Sequence, residues 1–137
     1  MSPKLDLVIP GACVAKERPR TTTIITENPL GQAVGKRTWG YTPKRSREYA
    51  LKARLIAQNA CQLANFDPIP YPKPVKLTIE FILKRVATAR PDVNNLAGAI
   101  LDVLQGIGFE DDSQVVELVA VKLKGKFPMT HIVVEEL

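Results

Sequence analysis

The chain has 137 residues, of which 45% are hydrophobic, with two cysteines and a net charge of +5. This length fits one domain that buries a core without cross-links, and we expect Cys13 and Cys61 to be reduced and structural, not zinc ligands. No apolar run approaches the roughly eighteen residues of a membrane span and no signal-peptide pattern is present, so we expect no membrane partner and a cytoplasmic location.

The first half of the chain predicts one strand, one long loop and one helix. Alternating apolar residues predict a strand at Lys4–Ile9, which Pro10 and Gly11 end. Residues 12–43 have no helical period, which predicts a long basic loop with at most a short strand near 39–41. Good helix formers from 44 to about 65 predict a helix. Its predicted apolar stripe is Tyr49, Ala53, Ile56, Ala60 and Leu63.

The second half predicts strands around another helix. Val75–Leu83 alternates strictly, which is typical of a half-buried strand. Asp92 stands where a helix N-cap belongs. The apolar stripe that follows is Val93, Leu96, Ile100, Leu104 and Ile107, and Gly106 and Gly108 end the helix.

Two more strands complete the predicted fold. Gln114–Lys124 is predicted to be buried on much of both faces, and Thr130–Glu135 is a short last strand. These elements predict an α+β fold: a single domain over residues 1–137, with a mixed sheet and two helices on one face.

Charge is unevenly distributed along the chain. Residues 1–54 hold eleven Lys and Arg against four acidic residues, whereas residues 91–121 hold six acidic residues and no Lys or Arg. The basic part can bind phosphates by releasing counterions, and the acidic part can do so only through a cation.

The acidic part contains candidate metal ligands. Asp92 and Asn94 begin the second helix, Asp102 lies further along it, and an acidic turn at 110–112 follows. Clustered oxygen ligands suit Mg²⁺, which assists phosphodiester cleavage. Since a helix of about fifteen residues spans some 22 Å, Asp92 and Asp112 meet only if the last turn folds back or a second chain supplies one. The structural alternative is that Asp92 only caps the helix, Asp102 is a surface residue and residues 110–112 form a solvated turn.

The segment ARPDVNNLAGAILDVLQGIGFEDDSQVV resembles the central signature of the RusA-type Holliday junction resolvase family. That signature runs roughly as R-P-D-x-D-N-L-x-K-A-x-x-D-x-L, then G, a short gap and D-D-x-Q-V. The matching positions are Arg90, Pro91, Asp92, Asn95, Leu96, Ala99, Asp102, Leu104, Gly108, Asp111, Asp112, Gln114 and Val115. The stretches IPGACVAKERPRTTT and YTPKRSREY also resemble the family's start, so the resemblance covers most of the chain.

The resemblance implies a metal-dependent endonuclease, a hydrolase of DNA recombination and repair. Such enzymes are homodimers that bind four-way DNA junctions and nick two opposed strands symmetrically with Mg²⁺ or Mn²⁺, which requires paired sites. Carried over by position, Asp92 and Asp112 are catalytic metal ligands. Asn94 would assist as a ligand, and Asp111 would assist beside Asp112.

Two positions depart from the signature. Asn94 stands where the family has its second aspartate, and Gly98 stands where it has a lysine. Three explanations remain open: a branched-DNA-binding protein with weak or no cleavage, substitutions introduced to keep DNA bound uncut, or replacement by other residues. In the last case the carboxylate would come from Asp111, Glu110 or Asp102 and the cation from Arg90, Lys122 or Lys124.

Basic residues form the predicted DNA-binding surface. They are Lys16, Arg18, Arg20, Arg37, Lys44, Arg45, Arg47 and Arg90. Trp39 and Tyr41 flank the second cluster and could stack on exposed bases, although Trp39 could equally belong to the core. No base-reading motif is present, which favours recognition of DNA shape and backbone by a nucleoid-associated protein. An acidic protein partner is the alternative for this basic surface.

Other chemistry has little support in the sequence. His131 is the single histidine and lies in a predicted strand, where we expect a structural role. No Gly-rich phosphate loop or nucleophile–histidine set is present, so no organic cofactor is expected.

Overall fold

The computed structural model describes residues 3–15, 20–41, 43–86 and 92–137. Within these ranges the strands are β1 (Lys4–Pro10), β2 (Arg20–Glu27), β3 (Ala33–Tyr41), β4 (Val75–Leu83), β5 (Val115–Lys124) and β6 (Met129–Glu136). The helices are α1 (Lys44–Ala64) and α2 (Val93–Leu104), and one 3-10 turn covers Asp112–Gln114. No helix of the described part is long and apolar enough to cross a membrane.

A four-stranded mixed sheet has the order β1-β6-β4-β5. Strand β6 is antiparallel to both β1 and β4, whereas β5 is parallel to β4. Helix α2 connects these parallel neighbours, as a crossover connection must. The predicted α+β class, with a mixed sheet and two helices in one small domain, is confirmed.

The core lies between one face of this sheet and the two helices. Alternate side chains of β1, β4 and β6 are buried there, as the period of two along a strand requires. In α2 the predicted residues Leu96, Ile100 and Leu104 are fully buried. The alternating strands β1 and β4 and the buried face of α2 were therefore predicted correctly.

The stripe predicted for α1 was wrong in its second half. The buried residues are Ser46, Tyr49, Ala53, Ala57 and Cys61, at steps of three and four. Leu63 is 80% exposed, although it was predicted to be buried. Small side chains at 53, 57 and 61 let the helix approach the core closely. The buried face of α1 is therefore set by close packing and not by which side chains are most hydrophobic.

Strand β5 is an edge strand, and the prediction that it is buried on much of both faces was wrong. Only β4 pairs with it in the described part of the chain. Val116 is 65% exposed, and the other exposed apolar residues of the strand are Leu118, Val119, Val121 and Leu123. Parallel strands are normally covered on both faces, so this uncovered apolar edge is unusual.

The predicted long loop at 12–43 contains the hairpin β2–β3. Thr23 pairs with Thr38, and Asn28 closes the turn by accepting bonds from the backbone nitrogens of Leu30 and Gln32 at 3.0 and 2.9 Å. Adjacent Ile24 and Ile25 are both more than half exposed, so apolar residues lie on both faces. This is why the alternation that identifies a half-buried strand is absent.

The two ends of the sheet carry opposite charge. We call the carboxyl ends of β4 and β5 the basic end; its exposed cations are Lys84, Arg85, Lys124 and Lys126. The amino ends of these strands form the acidic end, which holds Glu110, Asp111, Asp112, Glu117, Glu135 and Glu136. Two lysines pair with carboxylates at the acidic end, Lys73 with Glu136 at 3.4 Å and Lys76 with Glu117 at 3.7 Å.

Candidate active site and nucleic-acid interface

Asp92 caps the amino terminus of α2. Its Oδ1 accepts a hydrogen bond from the backbone nitrogen of Asn95 at 3.0 Å. One carboxylate oxygen thus satisfies a free N–H of the first turn, and the exposed group keeps its other oxygen for solvent or a ligand. The predicted cap is confirmed, and it leaves a metal-binding role open, because a cap uses only part of the carboxylate.

The acidic turn is held in place by Gln114. This side chain is 3% exposed, and its Nε2 lies 3.1, 3.1 and 2.9 Å from the carbonyl oxygens of Ile69, Pro70 and Lys73. Its Oε1 accepts from the backbone nitrogen of Asp111 at 2.8 Å. Gln114 therefore ties the turn to the loop before β4. Gln114 matches the family signature, but its spacing in the sequence did not indicate this structural role.

Only one of the three acidic side chains in the turn is uncommitted among the described residues. Glu110 accepts from the backbone nitrogen of Tyr71 at 3.0 Å. Asp111 accepts from the backbone and hydroxyl of Ser113 within a capping box. Asp112 is exposed and has no hydrogen bond or ion pair with any described residue. In this turn, Asp112 is thus the carboxylate that is available for a ligand.

Asp92 and Asp112 lie at opposite ends of α2. The helix has twelve residues and is about 18 Å long. Residue 109, just after it, bridges to Ile69 at the acidic end, so Asp92 lies towards the basic end. Among the described residues no three His, Cys, Asp or Glu side chains are close enough to hold a metal ion. The described part of one chain therefore does not bring Asp92 and Asp112 together as ligands of one ion.

Asn94 and Gly98 are neighbours on the surface of α2. They are four residues apart and so occupy the same helix face, one turn from each other. A Cβ added at Gly98 would meet no atom within 4 Å. The fold therefore has room for the lysine of the family signature, and packing does not explain the glycine.

The amino terminus of α1 concentrates positive charge. Lys44, Arg45 and Arg47 are exposed in its first turn, which contains no acidic residue. Cations at the positive end of a helix dipole destabilise it by a few tenths to about 1 kcal/mol each. This arrangement is unfavourable for the helix but favourable for binding an anion.

The loop after β1 connects this turn to the sheet. The hydroxyl of Ser46 donates to the carbonyl of Ala15 at 3.2 Å, and Lys52 donates to that of Pro10 at 2.9 Å. The α1 amino terminus therefore lies beyond the carboxyl end of β1, where β4 and β5 also end.

Of the remaining predicted DNA-binding residues, the structure describes Arg37 and the backbone of Arg20. Arg37 lies in β3, opposite Ile24. Arg20 begins β2, but its side chain falls outside the description. Lys16, Arg18 and Arg90 lie outside the described residues. Lys84, Arg85 and Lys126 were not predicted to belong to this surface, because residues 84–85 and 126 are far apart in the chain and only the sheet brings them together.

His131 and the cysteines have no place in this site. His131 lies on the open sheet face between Glu80 and Asp6, with Nδ1 and Nε2 at 2.8 and 2.6 Å from their carboxylates. The bond to Glu80 is the largest cause that raises the pKa of His131. Both cysteines are free and buried, and burial raises the pKa of Cys13 to about 11, so this thiol is protonated and inert.

The model of the family described as Endodeoxyribonuclease RusA matches residues 10–135. Because this match covers nearly the whole chain, the chain belongs to the RusA endodeoxyribonuclease family. Membership implies an endonuclease that resolves Holliday junctions, in a family that binds branched DNA and depends in general on a divalent metal ion. The search of curated proteins found no significant match.

Proposed function

We propose that this protein is a homodimeric, Mg²⁺- or Mn²⁺-dependent endonuclease that nicks two opposed strands of a Holliday junction. The observation that carries the proposal is the position of Asp92 towards the basic end, where phosphates are attracted, with Asp112 at the other end of α2. Each metal site then needs carboxylates from two chains. Asn94 would add a ligand oxygen beside Asp92, and Asp111 would hold the turn that presents Asp112.

The exposed edge of β5 supports a dimer of this form. Its unpaired backbone groups and apolar side chains favour addition of a second strand. Two copies of β5 paired antiparallel about a two-fold axis would bring the amino end of one strand to the carboxyl end of the other. The partner's Asp112 would then lie towards the basic end and Asp92 of the first subunit.

Opposite charges would stabilise such a dimer. The acidic end of one subunit meets the basic end of its partner, and opposite charges across an interface fix its register. Two equivalent composite sites result, as paired incision of a four-way junction requires. A divalent ion bound there would activate water and neutralise charge on the scissile phosphate.

DNA would be held mainly through its backbone. The exposed cations at the amino terminus of α1 and at the carboxyl ends of β4 and β5 supply phosphate contacts without reading bases. Arg37 extends this surface to the hairpin, and Lys16, Arg18, Arg20 and Arg90 remain predicted contacts. We place this activity in recombination and repair, at the nucleoid in the cytoplasm.

The second candidate is a branched-DNA-binding protein of the same fold that cleaves weakly or not at all. Asn94 and Gly98 favour it, because this helix face lacks the carboxylate and the ammonium of the family signature. An amide oxygen is a weaker ligand for a hard cation than a carboxylate, since it carries no charge.

A four-way junction and a duplex of the same sequence, each with and without Mg²⁺ or Mn²⁺, distinguish the candidates. Junction-selective nicking that Asp92→Asn abolishes supports the enzyme; asparagine still caps the helix, so the fold is kept. Tight junction binding with nicking only after Asn94→Asp and Gly98→Lys supports the binding protein. Equal affinity for junction and duplex would exclude both.

A further inference from the structure

The turn between β5 and β6 presents an exposed aromatic ring in a basic pocket. The pocket has a volume of about 720 Å³. Its lining residues are Lys84, Lys124, Gly125, Lys126, Phe127 and Pro128. Phe127 is 68% exposed, whereas phenylalanine is usually buried. A ring left in solvent beside a pocket marks a surface that a ligand could cover.

The shape of the pocket is fixed by a close approach of two strands. The backbone nitrogen of Gly125 donates to the carbonyl of Leu83 at 2.8 Å. A Cβ at Gly125 would lie 2.4 Å from Cγ2 of Ile82, so only glycine allows this contact. The turn that carries Phe127 is thereby held against the end of β4, where Lys84 follows.

The charges around the ring have no acidic partner in the part of the chain that the structure describes. The Lys126 ammonium lies 5.8 Å from the centre of the Phe127 ring. No carboxylate of the described residues pairs with Lys84, Lys124 or Lys126. A set of ammonium groups around a flat apolar surface suits a ligand that combines negative charge with a planar ring. A nucleotide has both.

We propose that this pocket binds one unpaired nucleotide of branched DNA, with its base stacked on Phe127 and adjacent phosphates contacted by Lys84 and Lys126. The pocket lies at the basic end, and Asp92 lies towards the same end, so a strand engaged at Asp92 would run near the pocket. A base in an intact duplex keeps its faces stacked on its neighbours, which restricts this contact to opened positions. The inference rests on the proposed junction binding and adds selectivity for unpaired bases.

The test compares Phe127→Ala with Leu63→Ala, a matched removal of an exposed apolar side chain that is 80% exposed at the far end of α1. A junction with 2-aminopurine at the branch point and a duplex of the same sequence are titrated with each protein. Phe127→Ala should weaken junction binding about tenfold and abolish the fluorescence change on stacking. It should leave duplex affinity almost unchanged. Phe127→Trp should restore both junction readouts.

The lysines are tested through salt dependence. Lys84→Ala and Lys126→Ala should weaken binding to both DNAs and lower the slope of log affinity against log salt by about one each. An unchanged slope in both variants would overturn the phosphate contacts. Equal displacement of the junction by polyglutamate and by oligothymidylate would overturn the nucleotide assignment in favour of an acidic peptide.

The outcomes separate this inference from the proposed function. If the unmodified protein shows no preference for the junction over the duplex, the proposed function fails. If the preference is present and Phe127→Ala behaves like Leu63→Ala, only the pocket assignment is overturned. Equal loss of junction and duplex affinity in a folded Phe127→Ala protein also overturns it, because the ring would then not select unpaired bases.

Discussion

Asp92 and Asp112 stand at the two ends of one helix, on surfaces of opposite charge. Helix α2 alone is about 18 Å long, and Asp112 follows its last residue by eight positions, at the acidic end. A shared metal site is therefore a property of two chains or does not exist. This relationship makes the assembly of the site testable without a structure of the complex.

Mixing two inactive variants should restore activity. Asp92→Asn and Asp112→Asn are each expected to abolish nicking as homodimers. In a heterodimer one composite site carries both substitutions and the other carries none, so random mixing should restore about a quarter of the sites. Nicking rates of the mixture check this, in the Asn94→Asp and Gly98→Lys background if the unmodified chain is inactive. A site confined to one chain would give no recovery.

Restoring the two signature residues should raise both activity and stability. Gly98→Lys replaces a poor helix former with a good one in open space and should stabilise the fold by about 1 kcal/mol. Combined with Asn94→Asp, Gly98→Lys places a carboxylate and an ammonium group one helical turn apart, as in the family signature. The double variant should raise the nicking rate at least tenfold. Thermal unfolding and junction nicking measure the two effects. Gly98→Ala is the control, because it should give the stability without the activity.

A charge in the middle of β5 should dissociate the dimer. In the proposed antiparallel pair Val119 lies near the two-fold axis, so Val119→Lys would bring two ammonium groups together. We expect the dimer to weaken at least tenfold in analytical ultracentrifugation. Val34→Lys, at an exposed position of the hairpin, is the control. Dimers of equal strength in both variants would exclude β5 as the contact.

Gln114 should contribute strongly to stability. Gln114→Ala leaves the carbonyls of Ile69 and Lys73 without this donor and frees the acidic turn, so we expect a loss of about 2–3 kcal/mol in the free energy of unfolding. Ser113→Ala, exposed in the same turn, should cost much less. Denaturant titrations compare the two. Equal effects would show that the amide contacts do not hold the turn.

His131 should make stability depend weakly on pH. Its carboxylate partners raise its pKa above 6.5, so the imidazolium pairs are fully present below pH 6.5 and are lost as the pH rises through the raised value. Because these groups are partly exposed, the change should stay below about 1 kcal/mol. Unfolding between pH 6 and 8 measures it, and His131→Gln should remove it. A slope that persists in this variant belongs to other groups.

The local pattern of apolar residues was sufficient to predict the elements that have one buried face. The strict alternation of β4 and the stripe of α2 follow from periods of two and 3.6 residues, each facing a single core. The cap at Asp92 follows from a capping residue just before that stripe. All three were predicted. The hairpin β2–β3 was missed because neither of its faces is buried, so no period is imposed on its sequence.

The sequence by itself determined the family, the α+β class and the identity of the candidate carboxylates, since each rests on residue types at short, fixed spacings. Only the tertiary structure decided that β5 is an edge strand, that Asp111 is committed while Asp112 is not, and that distant lysines assemble around Phe127. These facts depend on which strands become neighbours, and strand order is set by packing among residues far apart in the chain.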